Sequence, residues 1–312
     1  MDEIRFIVRT KDANDLKYLN KLLEANPEYT STLERGFDSF SDYSKTWDNI
    51  DVNNDTLYIK IDDDVVFLED TTLPIVAQKL ADHPEYFAVS ANVINNPALS
   101  WIHWYLGVVL PYLPEMTPPD QVLDDPDWNR SPSWRASKLP SWTGSSTFDF
   151  RSDFPAPYEG HRWLPVRNAS SDDGTPITTT TFDKSSSGWW SWSVAAQQHY
   201  SFLDHLERDE LWRYKFDILD YHYDRITVNL LGMRGKDIIE GRPFPRDDEG
   251  YVSQTLPKKT GRHAIIAGGA LAVHMHFNAQ RQAHDGHGIM WTDALERYRS
   301  YAKENVCGRP TR

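Results

Sequence analysis

The chain has 312 residues, 46 of them acidic and 33 basic, and its formal net charge at pH 7 is -13. This length suffices for one large α/β domain with a sizeable core. The acidic balance disfavours DNA or RNA as a partner, because a phosphate backbone is bound by clustered Lys and Arg. Cys307 is the only cysteine, which excludes an intrachain disulfide and a cysteine-based zinc site. No segment approaches the roughly 18 apolar residues of a membrane span.

The first predicted elements are a strand and a helix. Ile4 to Arg9 is strand-like, and the polar segment after it supplies a helix start at Asp12 or Asn14. One helical face then carries Leu16, Leu19, Leu22 and Leu23. Pro27 ends the pattern. Arg9, at the carboxyl end of the strand, is either a contact for a diphosphate or an ordinary surface arginine.

The stretch from Thr56 to Asp70, TLYIKIDDDVVFLED, combines two strand-like runs with an acidic triplet. The three aspartates are Asp62, Asp63 and Asp64. They follow a buried strand, and the carboxyl ends of strands are where ligands bind in open α/β sheets. Adjacent carboxylates repel one another, and a divalent cation relieves the repulsion. Oxygen ligands of this kind suit Mg²⁺, Mn²⁺ or Ca²⁺ better than Zn²⁺.

An apolar strand followed by D-x-D resembles the metal and nucleotide-sugar motif of glycosyltransferases with the GT-A fold. The segments IRFIVRTKDANDLKYLN, YIKIDDDVVF, VSANVINNPALSW and ALAVHMHF resemble an uncharacterised group of fungal glycosyltransferase-like proteins, and this likeness covers most of the chain. The resemblance implies a nucleoside diphosphate sugar as donor and a glycan or another hydroxyl compound as acceptor. It also implies the Golgi or secretory lumen; a signal or membrane anchor is absent here or lies outside this sequence.

The resemblance further assigns roles within the motif. We expect Asp64 to be the main protein ligand of Mn²⁺ or Mg²⁺. Asp62 is expected to contact the metal or the donor ribose, and Asp63 to turn toward the protein. Arg9, Asp62 and Asp63 form the expected donor-binding set. Although the chain is acidic, a bound cation supplies the positive charge that a nucleotide sugar needs.

Elements after the aspartates alternate between helix and strand. Thr71 to Asp82 has helical periodicity, Tyr86 to Val93 is strand-like, and Ala98 to Leu106 is an aromatic helix. This alternation predicts an α/β fold with a mostly parallel central sheet flanked by helices. We therefore expect a single GT-A-like catalytic domain over 1–312, with a Rossmann-like nucleotide-sugar-binding half at 1–113 and an acceptor half at 114–312.

The segment 114–183 is irregular and rich in tryptophan, Pro, Ser and Asp. Long irregular segments in compact domains are functional loops or disordered, and so many apolar rings favour ordered loops. These loops and the next segment contain Trp128, Trp134, Trp142, Trp163, Trp189, Trp190 and Trp192. Each ring either fastens a loop to the core or stacks on a sugar in an acceptor groove.

Two aspartates are candidates for the acceptor side. Ala195 to Trp212 has helical periodicity and leads into Phe216 to Gly232, in which Asp220 or Asp224 would open a helix. An enzyme that inverts configuration needs a carboxylate to take the proton of the acceptor hydroxyl. By resemblance, the second segment stands where the family carries its acidic acceptor-side motif, with Asp224 as first choice and Asp220 as second. The structural alternative for either is a helix cap.

Near the end of the chain, Ala264 to Phe277 is a strand-like run with Gly268 and Gly269 inside it, which suit a bulge or a close backbone approach. His274 and His276 alternate with apolar residues, so both project from one face of the strand. In GT-A enzymes a late histidine often completes the metal site. The resemblance therefore makes His274 a ligand, with His276 beside it as a second ligand or as a residue that orients the first.

Three functions remain open at this point. The first is a metal-dependent glycosyltransferase, in which the metal neutralises charge on the departing diphosphate. The second is a metal-dependent hydrolase built from the aspartates and the histidines of the HMH and HDGH segments. The third is a non-catalytic glycan-binding protein. The carboxylate triplet and the absence of a compact zinc motif favour the first over the second.

Overall fold

The structure, a computed structural model, describes residues 3–33, 44–119, 134–145, 148, 156–167, 174–182, 187–226, 228–281 and 287–307. Its strands are β1 Ile4–Val8, β2 Tyr29–Leu33, β3 Leu57–Ile61, β4 Val65–Leu68, β5 Tyr86–Ile94, β6 Tyr112–Pro114, β7 Trp163–Pro165, β8 Ile218–Asp220, β9 Leu230–Arg234 and β10 His263–His274. Its helices are α1 Ala13–Ala25, α2 Lys45–Asn49, α3 Thr72–Asp82, α4 Pro97–Tyr105, α5 Trp192–Glu207, α6 Gly235–Gly241, α7 Asp248–Gly250, α8 Leu256–Thr260, α9 Asn278–Arg281 and α10 Ala294–Asn305. The protein is therefore mixed α/β, as predicted.

The central sheet has six strands in the order β3-β9-β5-β10-β4, with β8 also paired to β10. Only the pairing of β5 with β10 is parallel in this sheet. The pairs β3-β9, β5-β9, β10-β4 and β10-β8 are antiparallel. The predicted mostly parallel sheet is thus wrong, and the architecture by itself is not clearly that of the GT-A fold.

The main cause of this difference is the segment Phe216 to Gly232. Asp220 or Asp224 was expected to open a helix there, but the segment forms β8 and leads into β9, and both strands pair antiparallel with their neighbours. The apolar run before Gly232 is buried in the sheet. Gly232 itself allows α3 to pack closely, because a Cβ at this position would lie 2.7 Å from side-chain carbons of Leu80 and Val76.

β1 and α1 agree with the predicted strand and helix, but β1 forms a separate sheet with β2, a strand that was not predicted. β1 and β2 pair in parallel, and within the described residues neither strand is hydrogen-bonded into the central sheet. Asp12 caps α1 by accepting hydrogen bonds from the backbone N–H groups of Asn14 and Asp15. The first strand of the chain is therefore not one of the central-sheet strands that carry the candidate site.

The sheet is packed on both faces. Ala270 and Ala272 of β10 belong to a cluster with α3, α6 and α8, whereas Leu271 and Val273 belong to a second cluster with α5 and α10. Alternate side chains of a strand point to opposite faces, so the two clusters lie on opposite sides of the sheet. α5 is the central helix of the second layer, since every residue from Trp192 to Leu206 is buried.

The tryptophans of the described loops divide into two groups. Trp163 in β7 and Trp192 at the start of α5 are fully buried and make an edge-to-face contact. These two rings therefore fasten the loops to the core. Trp190 is 67% exposed, and Trp128 lies outside the described residues. Of the helices in the described ranges, none is long and apolar enough to cross a bilayer.

Candidate functional site

The three aspartates lie at the carboxyl edge of the central sheet. β3, β5 and β10 end at this edge, because β9 is antiparallel to both β3 and β5, and β10 is parallel to β5. β3 and β4 are the first and last strands of the sheet order. The segment between them is a tight turn, closed by a hydrogen bond of 3.2 Å from the Val65 N–H to the Asp62 carbonyl, so the triplet lies where β3 ends. The sequence predicted this placement of the triplet after a core strand.

Asp64 and the two late histidines come together at this edge. The backbone carbonyl of Asp64 accepts a hydrogen bond of 2.8 Å from the N–H of Met275, which ties the triplet to the end of β10. Asp64 Oδ2 lies 3.1 Å from His274 Nε2 and 3.8 Å from His276 Nδ1. Both imidazoles thus approach one carboxylate oxygen, as the alternation of His274 and His276 predicted.

Electrostatics at this cluster favour an ionised Asp64 carboxylate and a neutral His276 imidazole. Burial raises the pKa of Asp64, but the hydrogen bond and charge of His274, with a contribution from His276, outweigh it and lower the pKa below its usual value. Burial is the main reason that the pKa of His276 lies below its usual value, although the charge of Asp64 opposes it. Ionised carboxylate and neutral imidazole are the forms that bind a metal.

Unsatisfied polar atoms at the edge are consistent with an additional ligand. His274 Nδ1, His276 Nδ1 and Asn229 Oδ1 are buried and have no hydrogen-bond partner among the described residues. Buried polar atoms without partners are rare in native proteins, and each calls for an explanation such as an ion or water. The donor set therefore fits a cation.

The present side-chain positions limit how a cation could be held. The ligand atoms of Asp64, His274 and His276 do not all lie within 4.8 Å of one another; the trio that does, in the described part of the chain, is Asp220, His222 and His263. Two ligands on opposite sides of an octahedral cation are about 4.2 Å apart. Asp64 and one imidazole can thus bind as they stand, while the other imidazole orients them.

Asp62 has partners that the sequence analysis did not identify. Its carboxylate pairs with the ammonium group of Lys60 and accepts a hydrogen bond of 3.1 Å from Asn229 Nδ2. Burial lowers the pKa of Lys60, but the charge and hydrogen bond of Asp62 outweigh it, so the pKa lies above its usual value. Lys60 therefore stays charged and neutralises Asp62, which leaves Asp64 as the better placed carboxylate for a cation.

Comparison with protein-family models, with curated proteins and with solved structures gives no match for this chain. The resemblance to GT-A enzymes therefore rests on the sequence segments quoted above. The function of the sheet edge has to be inferred from the chemistry of the residues that form it.

Asp63 is not turned toward the protein as expected, because its side chain is exposed in the turn between β3 and β4. The exposed carboxylate of Asp63 is solvated, so its repulsion with Asp62 and Asp64 is weak. Its assignment to donor binding stays a prediction. The same holds for Arg9, which follows β1 in the separate two-stranded sheet.

Asp220 does not lie with the other candidate residues. It pairs with Ile265 in the first half of β10. Ile265 and Val273 of β10 align with Val89 and Ile94 of β5. That interval is five residues of β5, or about 17 Å at 3.3 Å per residue. A general base has to reach the acceptor within hydrogen-bond distance, so Asp220 is not placed to serve a reaction at Asp64. Asp224 is exposed just beyond the turn that follows β8, and its assignment stays a prediction.

Two contributions to the candidate site were missed from the sequence. Lys60 and Asp62 are two residues apart at the end of a strand, so they share a face, and this spacing could have predicted their pairing. Asn229 had no such signal, because its position depends on β9 pairing with β3. His284 of the HDGH segment lies outside the described residues, and His287 packs against the ring of Trp291, with 3.5 Å between ring centroids.

Proposed function

We propose that this protein is a metal-dependent glycosyltransferase of the GT-A type that transfers a sugar from a nucleoside diphosphate sugar to an acceptor hydroxyl. The observation that carries the proposal is the convergence of Asp64 and His274, with His276 beside them, at the carboxyl edge of the sheet. Ligands of open α/β proteins bind at such edges. The finer assignment to GT-A relies on the D-x-D resemblance as well.

The donor set favours Mn²⁺ over Mg²⁺. Mg²⁺ prefers oxygen ligands in octahedral geometry, whereas an imidazole nitrogen is better tolerated by transition metals. Asp64 would supply a carboxylate oxygen, and His274 would supply a nitrogen from a ring held rigidly because its side chain is only 3% exposed. A bound divalent cation would neutralise charge on a departing diphosphate.

The acceptor side of the proposal differs from the sequence expectation. Because Asp220 lies at the other end of β10, the proposal does not assign the general base to it, and Asp224 remains the candidate. Trp190 is an exposed ring that follows Trp189, and Trp189 packs on Phe277 with 4.2 Å between ring centroids. Phe277 in turn contacts His274. Trp190 is therefore near enough to the edge to offer a stacking surface for a sugar.

The experiment is a screen of nucleoside diphosphate sugars by thermal shift with and without Mn²⁺, because a ligand of the folded state raises its apparent stability. A hit is followed by calorimetry on wild type, Asp64→Ala and the control Asp70→Ala, which removes an exposed aspartate beyond β4. We expect Mn²⁺-dependent binding in wild type and in Asp70→Ala, and its loss in Asp64→Ala. Equal affinity in Asp64→Ala and wild type would refute the metal site.

A hydrolase is the second candidate, because two imidazoles beside a carboxylate also suit a metal that activates water. The two functions can be distinguished by the products that they form. A transferase consumes the donor faster when an acceptor is present, whereas a hydrolase releases free sugar or phosphate at the same rate without one. Saturable glycan binding with no consumption of any donor would instead support the non-catalytic alternative.

A further inference from the structure

A second cluster of metal-binding side chains lies at the opposite edge of the central sheet. Asp220 ends β8, His263 begins β10, and His222 lies in the turn after β8. One ligand atom from each of the three lies within 4.8 Å of the others. His222 Nδ1 is 3.4 Å from Asp220 Oδ2, and His263 Nδ1 donates a hydrogen bond to the same oxygen.

The local backbone holds these side chains together. Asp220 Oδ1 accepts a hydrogen bond of 2.8 Å from the backbone N–H of His222, which leaves Oδ2 facing the two rings. His222 and Tyr223 have φ values of 48° and 68°. Consecutive left-handed conformations are unfavourable for large side chains and concentrate at functional positions. The turn thus places His222 beside Asp220 at the expense of local strain.

Tyr223 contacts the side of the His263 ring that faces away from Asp220. Its hydroxyl lies 3.2 Å from His263 Nε2, so His263 presents Nδ1 to Asp220 while its other nitrogen is hydrogen-bonded. Histidines that bind metals are oriented by such a bond on the second nitrogen. If a cation replaced the proton on Nδ1, that proton would move to Nε2 and be donated to the Tyr223 oxygen, which can accept it. Binding through Nδ1 therefore requires only a change of ring tautomer.

We propose that Asp220, His222 and His263 form a binding site for a transition metal of the Zn²⁺ type, separate from the edge that carries Asp64. Two imidazoles and one carboxylate are the donor set of zinc sites that keep a fourth position for water. Two ligands about 2.05 Å from a tetrahedral zinc ion are about 3.3 Å apart, which agrees with the His222 to Asp220 separation of 3.4 Å. Mg²⁺, which prefers oxygen ligands, fits this set poorly.

Occupancy would join the turn after β8 to the first residue of β10. Both elements are already paired through Ile265 and Asp220, so the cation would strengthen an existing pairing at the edge of the sheet. Binding to the folded state alone stabilises it. At a free Zn²⁺ concentration 100 times Kd, a domain of this size should gain about 4 °C in Tm.

The test uses the full chain without an affinity tag and with Cys307→Ser, because Cys307 is an exposed thiol that could bind Zn²⁺ itself. Zn²⁺ binding is measured by calorimetry, and Co²⁺ is used as a visible probe of tetrahedral coordination. His222→Ala is the decisive variant, since this side chain is 79% exposed and its loss should not disturb folding. Asp64→Asn is the matched control at the other edge.

We expect Zn²⁺ binding that persists in Asp64→Asn, which removes the carboxylate of the other edge, and an affinity at least 10-fold weaker when His222→Ala is added to that variant. The visible Co²⁺ bands should decrease in the same double variant. No Zn²⁺ binding by the wild-type chain, or equal affinity in Asp64→Asn with and without His222→Ala, would overturn the proposal. Loss of binding in Asp64→Asn alone would assign the zinc to the other edge and also overturn it. The outcome is independent of glycosyl transfer.

Discussion

Replacing Asp62 by Asn should destabilise the protein through Lys60. The carboxylate of Asp62 is the ion-pair partner of the Lys60 ammonium, whose other hydrogen bond goes to the carbonyl of Val228 at 3.3 Å. Asn keeps the size of the side chain and its contact with Asn229, but it removes the negative charge. Lys60 would then hold a partly buried charge without a counter-ion.

The magnitude follows from burial. Removal of one partner from a fully buried ion pair costs about 3–5 kcal/mol. The Lys60 and Asp62 side chains are 20% and 28% exposed, so solvent screens part of this effect, and we expect a decrease of about 2–3 kcal/mol in the free energy of unfolding. Lys60→Met in the Asp62→Asn background removes the unpaired charge and should recover most of the loss.

Urea unfolding at pH 7 of wild type, both single variants and the double variant gives the coupling energy by a double-mutant cycle. A coupling above about 1 kcal/mol, with the double variant more stable than Asp62→Asn, supports the pairing. If Asp62→Asn unfolded at the wild-type urea concentration but lost Mn²⁺ binding, Asp62 would be a metal ligand and the reasoning would be wrong. Loss of stability with Mn²⁺ binding retained would make Asp62 a structural residue.

Three further predictions concern catalysis, pH and packing. Asp220→Asn should change the transfer rate less than about 2-fold, because a general base contributes about 10² or more and Asp220 pairs with the first half of β10, away from Asp64; a 10²-fold loss in a transfer assay would contradict the geometry. Burial lowers the pKa of His103 to about 3 and that of His199 to about 4, against an ordinary value of 6.5. Below pH 6.5 these histidines are therefore protonated in the unfolded chain but not in the folded chain. The free energy of unfolding should fall as pH decreases, by about 2 kcal/mol per histidine at pH 5. Urea unfolding at pH 7.5 and pH 5 measures this change, and His103→Gln should make it smaller. Trp163→Ala should cost about 3–5 kcal/mol in the same assay because the ring is fully buried, whereas Trp190→Ala should stay within about 0.5 kcal/mol, and comparable losses in the two variants would be inconsistent with the burial of these rings.

Much of the secondary structure could be predicted because it is recorded in local periodicity. α1, α3, β5 and β10 agree with the hydrophobic patterns, and Gly268 marks the close approach that its position suggested, since a Cβ there would lie 2.3 Å from the ring of Phe216. Strand partners are not recorded in this way. The antiparallel pairing of β9 between β3 and β5 joins residues more than a hundred positions apart, so the alternation of elements predicted the wrong sheet.

The candidate site shows the same division. Asp64 and His274 each follow a recognisable strand, and their meeting requires only that both strands end at one edge. Asp220 and Asp224 were assigned to this site by resemblance, as acids that open a helix, whereas the chain forms β8 and a left-handed turn there. Nothing in the residue types of His222 and Tyr223 favours positive φ. Their placement beside His263 is therefore visible only in the folded chain.

The short turn between β3 and β4 also restricts which insertions and deletions the gene can accept. Adding or removing one residue between Asp62 and Asp64 would shift β4 by one position and turn each of its side chains to the other face of the sheet. Phe67, whose ring packs on Phe202 at 5.2 Å between centroids, would leave the core beside α5. Insertions and deletions should therefore be rejected between β3 and β4, and chains that share this fold should differ in length elsewhere, in the loops around Trp134 and Trp142.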